Sequence, residues 1–139
     1  MLEVNYAAIL VAALLQFVFG AIWYTPIFGK LWGKMHGFDK HSPEVQKEMM
    51  KKMGPFLALQ FIVTVVTTAV LAMMLAGTTS DWSAYAFAGL CWLGFIVPTQ
   101  ISSVVFGGTE PHWMVQKILI MAGGALGCMM IAAAVLSMM

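Results

Sequence analysis

Four long apolar stretches decide what this chain can become. They run roughly over Val4–Tyr24, Phe56–Ala76, Ala84–Phe106 and Val115–Met139. Each holds about 20 residues or more, and at about 1.5 Å of helical rise per residue that crosses a hydrocarbon core of about 30 Å. Composition points the same way: 61% of the residues are hydrophobic and 9% are charged, against about 25% charged in an ordinary soluble domain. A chain of 139 residues cannot enclose so much apolar surface in one core, so lipid must solvate much of it. The expected fold is all-α, a single integral-membrane domain over 1–139. Its four transmembrane helices fall at about 4–26, 55–76, 84–106 and 113–137. The first stretch lacks a basic leader, carries Glu3, and shows no small-residue cleavage site before Tyr24 and Pro26, so it reads as a retained helix and not a signal peptide.

Charge sets the expected orientation. Every basic residue is a lysine, and all but Lys117 lie between Lys30 and Lys52. Short lysine-rich loops stay on the cytoplasmic side, which puts loop 27–54 inside and both termini outside a bacterial inner membrane. The connection "GTTSDWS", with Asp81 and no cation, then faces outward. Within the inner loop, Ser42 is a good N-cap, Pro43 suits the first helical position and Glu44 suits the positive helix end. A short amphipathic helix over about 43–53 follows, with Val45, Met49 and Met53 on one face and its lysines placed for anionic head groups. The net charge of +1 gives no reason to expect a nucleic-acid partner.

Each span carries small or polar residues at helical spacing. The first has Ala8, Ala12, Gln16, Gly20 and Tyr24; the second has Gln60, Thr64, Thr67 and Thr68. The third has Thr99, Ser102 and Ser103 below Trp92, and the fourth has Gln116, Ile120, Gly123 and Gly127. Such stripes let helices approach closely and hydrogen-bond where lipid offers no hydrophobic reason to associate. Gly20, Gly94, Gly123 and Gly127 are therefore the expected packing glycines. The same stripes suit a homo-oligomer or a contact with another membrane protein.

The polar residues crowd toward one end. Tyr24, Thr25, Gln60, Thr64, Thr99, Gln100, Ser103 and Gln116 all fall in the half nearer the lysine loop, with Gln16 near mid-depth. Unsatisfied polar groups in lipid cost several kcal/mol each, so these need partners. Either they bond helix to helix, or they line a vestibule for a ligand. Pro98 frees a carbonyl near Gly94, which again asks for a partner. A weak echo relates the first and third spans: Pro26 and Pro98 are each followed by Phe-Gly and then a tryptophan, Phe28-Gly29 with Trp32 and Phe106-Gly107 with Trp113. Parallel hairpin duplications of this kind occur in transporters.

Other chemistries find little support. No Asp or Glu sits deep in a span, whereas proton- or cation-coupled carriers usually need one there. Hydrolase, nucleotide-binding and metalloprotease motifs are absent from the sequence, so an enzyme is not expected and no cofactor is implied. Cys91 and Cys128 show no C-x-x-C spacing and read as apolar filler. The thirteen methionines include Met35-His36 and His112-Trp113-Met114, and thioethers suit Cu(I). Methionine is also an adaptable packing residue, and the filler reading outweighs a metal.

Two blocks carry a resemblance. "FGAIWYTPIFGKLWGKMHGF" contains Gly20, Trp23, Tyr24, Pro26, Gly29, Lys30 and Trp32; "CWLGFIVPTQISSVVFGGTEPHW" contains Trp92, Leu93, Gly94, Phe95, Thr99, Phe106 and Trp113. With the charged helix between them, the chain resembles the domain-of-unknown-function 1761 family of small bacterial integral membrane proteins. It departs from the family's pattern at Ser102 and Ser103, where asparagines are expected, and in having "FGGTEPHW" for a shorter F-E-G-x-x-W. The resemblance implies four helices and a membrane location, and no established activity. The leading functional expectation is a non-enzymatic protein that acts by helix association, as an oligomer or accessory subunit; the alternative is a small transporter or channel with a polar site in the cytoplasmic half of the bundle. The orientation is directly testable. In a background lacking Cys91 and Cys128, an impermeant maleimide should label Asp81→Cys on intact cells and Lys40→Cys only after permeabilisation. Equal labelling of both from outside would reverse the reading.

Overall fold

Asn5 starts the first helix, its side-chain oxygen accepting from the Ala8 amide at 3.1 Å and so satisfying one of the orphan N–H groups of a helix start. From there the chain is helical almost throughout. The computed structural model describes residues 3–139, and these form seven α-helices: α1 Tyr6–Ile22, α2 Gly29–Met35, α3 Pro43–Lys52, α4 Gly54–Gly77, α5 Ala84–Cys91, α6 Val97–Phe106 and α7 Met114–Met138. Four continuous helical stretches are long and apolar enough to cross a bilayer: Tyr6–Ile27, Gly54–Gly77, Ala84–Phe106 and Pro111–Met138. The protein is an all-α, multi-pass membrane protein with four transmembrane helices.

Two of those spans are interrupted in the same way. After α1, residues Trp23–Ile27 widen into a single π-turn; after α5, Trp92–Ile96 do the same before α6 begins. In each, the tryptophan carbonyl accepts from the amide five residues on, Phe28 for Trp23 at 3.0 Å and Val97 for Trp92. Proline explains both positions. Pro26 and Pro98 lack the N–H that the carbonyl four residues earlier needs, and their rings crowd that carbonyl; widening by one residue relieves the clash, and such bulges are a recognised cause of kinks. Aligning the π-turns pairs Trp23 with Trp92. The prolines that marked the repeat in the sequence then lie three residues out of register.

The Lys-rich connection is more structured than one short helix. The unforeseen α2 ends at His36 and turns at Gly37, whose φ of 72° is left-handed and is adopted by glycine without a Cβ penalty. Ser42 caps α3, accepting from the Val45 amide. Gln46 ties α3 back to the preceding turn by donating to the Phe38 and His41 carbonyls at 3.0 and 3.1 Å. A single residue, Met53, separates α3 from α4.

Packing follows membrane logic, with small residues inside and large ones facing out. Ala8, Ala12, Ala13, Ala88, Ala132 and Ala133 are almost fully buried, whereas Leu14, Ile62, Leu93 and Phe95 are exposed and meet lipid. The helix α1 packs along both α4 and α7, and α7 also carries α5 and α6. At the end away from the lysines, Leu71 of α4, Ala88 of α5 and Met129, Ala132 and Ala133 of α7 close a common core. At the other end α4 and α6 share no packed seam.

The α1–α7 seam depends on absent side chains. A Cβ at Gly124 would stand 2.9 Å from Trp23 Nε1, and one at Gly123 would stand 3.1 Å from the same indole. Gly127 lies against the end of the Phe19 ring. A Cβ at Gly20 or Gly94 would meet no atom within 4 Å, so no neighbouring helix comes against these two expected packing glycines. Gly124→Val should therefore lower stability by about 1–3 kcal/mol, the usual cost of overpacking. Gly20→Ala should lose less than about 0.5 kcal/mol, because alanine is the better helix former and nothing is displaced. Unfolding midpoints in detergent measure both.

Candidate functional site

The gap left between α4 and α6 is a cleft of about 330 Å³, at the lower end of small-molecule pockets. Its walls come from all four spans: Gln16, Gly20 and Tyr24 from the first, Gln60, Val63, Thr64 and Thr67 from α4, Ile96 and Gln100 from the third, and Met121, Gly124, Ala125, Cys128 and Met129 from α7. No lining residue carries a formal charge; the polar groups are three amides, two threonine hydroxyls, a phenol and the Cys128 thiol.

Each polar group arrives for a local reason. Gln16 is buried (4% exposed) because α1 is clamped between α4 and α7. Its amide donates to Thr68 Oγ1 at 2.8 Å and to the Ala12 carbonyl at 3.2 Å, the first being the polar link between α1 and α4. Thr68 donates in turn to the Thr64 carbonyl at 2.7 Å, and Thr64 to the Gln60 carbonyl at 2.8 Å, the back-bonding that threonine uses inside helices. Tyr24 lies in the first π-turn, with its hydroxyl 3.3 Å from where a Gly124 Cβ would be; the missing side chain lets the phenol reach the cleft.

Gln100 differs from Gln16 and the threonines. Its Nε2 donates to the Met121 carbonyl over a long 3.4 Å, while its Oε1 is buried with no hydrogen-bond partner among the described residues. An orphaned buried acceptor costs about 1–3 kcal/mol.

The Met121 bond is one of three on successive α7 carbonyls. Trp23 Nε1 donates to Ile120 at 2.9 Å and Trp92 Nε1 to Ala122 at 2.8 Å. Each carbonyl oxygen has two lone pairs and can take a side-chain donor beside its helical one. Both tryptophans thus satisfy in lipid an N–H that has no water to bond, and both π-turns are tethered to α7 at the cleft's depth.

Of the eight residues singled out as a vestibule, Tyr24, Gln60, Thr64 and Gln100 meet in this cleft. Thr25, Thr99, Ser103 and Gln116 lie outside its walls and are exposed. Thr99 donates to the Phe95 carbonyl at 2.6 Å and Ser103 to the Gln100 carbonyl at 2.8 Å, the same back-bonding that Thr64 and Thr67 make in the cleft wall, so their place on α6 and not their bonding keeps them out of it. Gln16, Thr67 and Cys128 complete the walls without having been singled out as site residues. Gln16 and Thr67 sat in the polar stripes and so carried a signal; Cys128, read as filler, carried none. Cys128 Sγ lies 3.8 Å from the Gln16 carbonyl.

If Gln100 is strained in this way, Gln100→Leu should raise the stability of the protein without ligand by about 1 kcal/mol, since it removes an unsatisfied acceptor at the loss of one long bond. A thermal melt in detergent reads this; a drop in stability would instead make the amide a structural contact.

The protein family described as protein of unknown function (DUF1761) matches residues 7–137. No curated protein and no solved structure matches the chain. With the match covering nearly its whole length, four spans included, the chain belongs to the DUF1761 family.

Proposed function

We propose that the protein is a non-enzymatic transporter or channel for a small neutral polar solute, which it holds in the cleft between α4 and α6. The observation that carries this reading is a cleft with walls from every span, lined by the amides of Gln16, Gln60 and Gln100 and the hydroxyls of Tyr24, Thr64 and Thr67, in which Gln100 also keeps a buried Oε1 without a partner among the described residues. A charged solute would lack a counter-charge among the lining residues, and burying an unpaired ion is far costlier than burying a hydrogen-bonding neutral group. Gln60, Thr64, Thr67 and Gln100 present both donors and acceptors, which suits polyols, urea and small amides. In this reading the lysine loop lies in the cytoplasm of a bacterial cell, both termini lie outside, and the cleft opens from the inner leaflet.

An oligomer or accessory subunit is the second reading. The apolar outer faces of α4 and α5–α6 are broad, with Phe56, Ile62, Leu93 and Phe95 exposed, and a second copy or another membrane protein could cover them as well as lipid does. It ranks below the first because Gly123 and Gly127, the small-residue stripe that most favours helix association, already lie against Trp23 and Phe19 of the same chain.

Proteoliposomes test the leading reading. Under an osmotic gradient of glycerol, urea or acetamide, wild-type vesicles should re-swell faster than protein-free ones for at least one solute. Gln60→Leu with Gln100→Leu should remove that excess. Rates equal to those of empty vesicles for all three solutes, or an excess that survives both substitutions, would reject the cleft as a pathway.

A further inference from the structure

A second cavity lies beyond the helix ends, on the side of the lysine loop. It encloses about 520 Å³ between the turn after α2 and the turn that joins α6 to α7. Both turns are made by left-handed glycines, Gly37 at φ 72° and Gly108 at φ 76°. Three lysines from separate elements line it: Lys34 in the last turn of α2, Lys40 after Gly37, and Lys117 on α7. Two carboxylates, Asp39 and Glu110, share the cavity. Glu110 is already engaged by His112, 3.4 Å away, and among the described residues no lysine comes within 4.0 Å of a carboxylate.

Lys117 is the most constrained of the three. It is half-buried, its Nζ lies 3.4 Å from Thr109 Oγ1, and it sits 5.7 Å from the centre of the Trp32 ring. The hydroxyl and the ring hold the ammonium in place but leave it without an anion. Trp32 is itself fixed between Tyr24, at 5.0 Å, and His36, at 4.6 Å. A pre-positioned cation lacking a counter-ion, with two more lysines across a cavity at the level where the spans end, is a receptor for an anion.

We propose that this cavity binds an anionic phosphodiester group. Three ammoniums against two carboxylates leave one net positive charge, which matches the single charge of a phosphodiester. The cavity's position at the ends of the spans is the depth of phospholipid head groups, and basic pockets between transmembrane helices are known receivers of them. The site is separate from the uncharged cleft between α4 and α6. The same chemistry is offered by the head group of phosphatidylglycerol and by a soluble glycerophosphodiester.

The test uses the full chain in phosphatidylcholine nanodiscs. Spin-labelled phosphatidylglycerol is titrated in as one probe and soluble glycerophosphoglycerol as the other. The wild type should prefer phosphatidylglycerol over a matched spin-labelled phosphatidylcholine, and Lys34→Gln with Lys40→Gln should reduce that preference by about 25-fold, at about fivefold for each lysine near a membrane surface. Both lysines are exposed, so the variant should fold, which circular dichroism verifies. Lys47→Gln with Lys51→Gln in α3 removes the same charge outside the cavity; these lysines meet head groups only as diffuse surface charge, so the preference should fall clearly less than in the cavity variant, and binding of the soluble probe should be unchanged. Binding of the soluble probe, lost in the cavity variant, identifies the source as a free phosphodiester; binding of the lipid alone identifies it as a head group. The proposal is overturned if the wild type binds neither probe, or if the cavity and α3 variants lose binding equally.

Discussion

Two backbone carbonyls of α7, those of Ile120 and Ala122, tie the first and third spans to it. Residues two apart on a helix are turned by about 200°, so these carbonyls face different neighbours. Trp23 docks on the first and Trp92 on the second, with only the long Gln100 contact to Met121 between them. In water such bonds would contribute little beyond those they replace. In lipid the donors have no alternative, so an indole N–H that reaches a carbonyl locates its helix. The approach requires the Gly123-Gly124 pair, because a Cβ at Gly124 would stand where the Trp23 indole passes.

That tethering makes sense of the two π-turns. Each begins at a tethered tryptophan and lies at or just before a proline, so the first and third spans are built alike: a straight outer helix, a widened turn bonded to α7, and a redirected inner helix. The redirected segment α6 leaves the neighbourhood of α4, which is held mainly by α1 and by the far-end core around Leu71. The cleft is thus a by-product of the kink. Its polar lining is what keeps the opened backbone and side chains compatible with a membrane interior.

The two cavities divide the chemistry of this end of the bundle. Within the spans the lining is neutral and rich in amides; beyond them it is lysine-rich, with tryptophan close by. Tyr24 and Trp32 lie edge to face between the two. The proposed neutral solute and the proposed phosphodiester follow this division of charge.

Much of this was legible in the residues. Span number and approximate limits follow from apolar length, because the bilayer thickness is fixed and helical rise is constant. The Ser42 cap and α3 follow from local backbone chemistry, and Tyr24, Gln60, Thr64 and Gln100 stood out because polar groups in lipid are costly. What only the tertiary structure decided is which polar groups face one another. Thr99 and Ser103, which follow the second π-turn, stay outside the cleft, a choice set by helix rotation after that turn; Gln16, on the unbroken part of α1, turns to α4 because α1 packs along it. A π-turn adds one residue to a helical turn, so every side chain beyond it changes face by about 100°. Spacing in the sequence assumes an unbroken helix and cannot see that rotation. Gly20 and Gly123 likewise looked equivalent as packing residues, yet only Gly123 meets a neighbouring helix, because which glycine faces a partner depends on how the helices dock and not on its spacing along one of them.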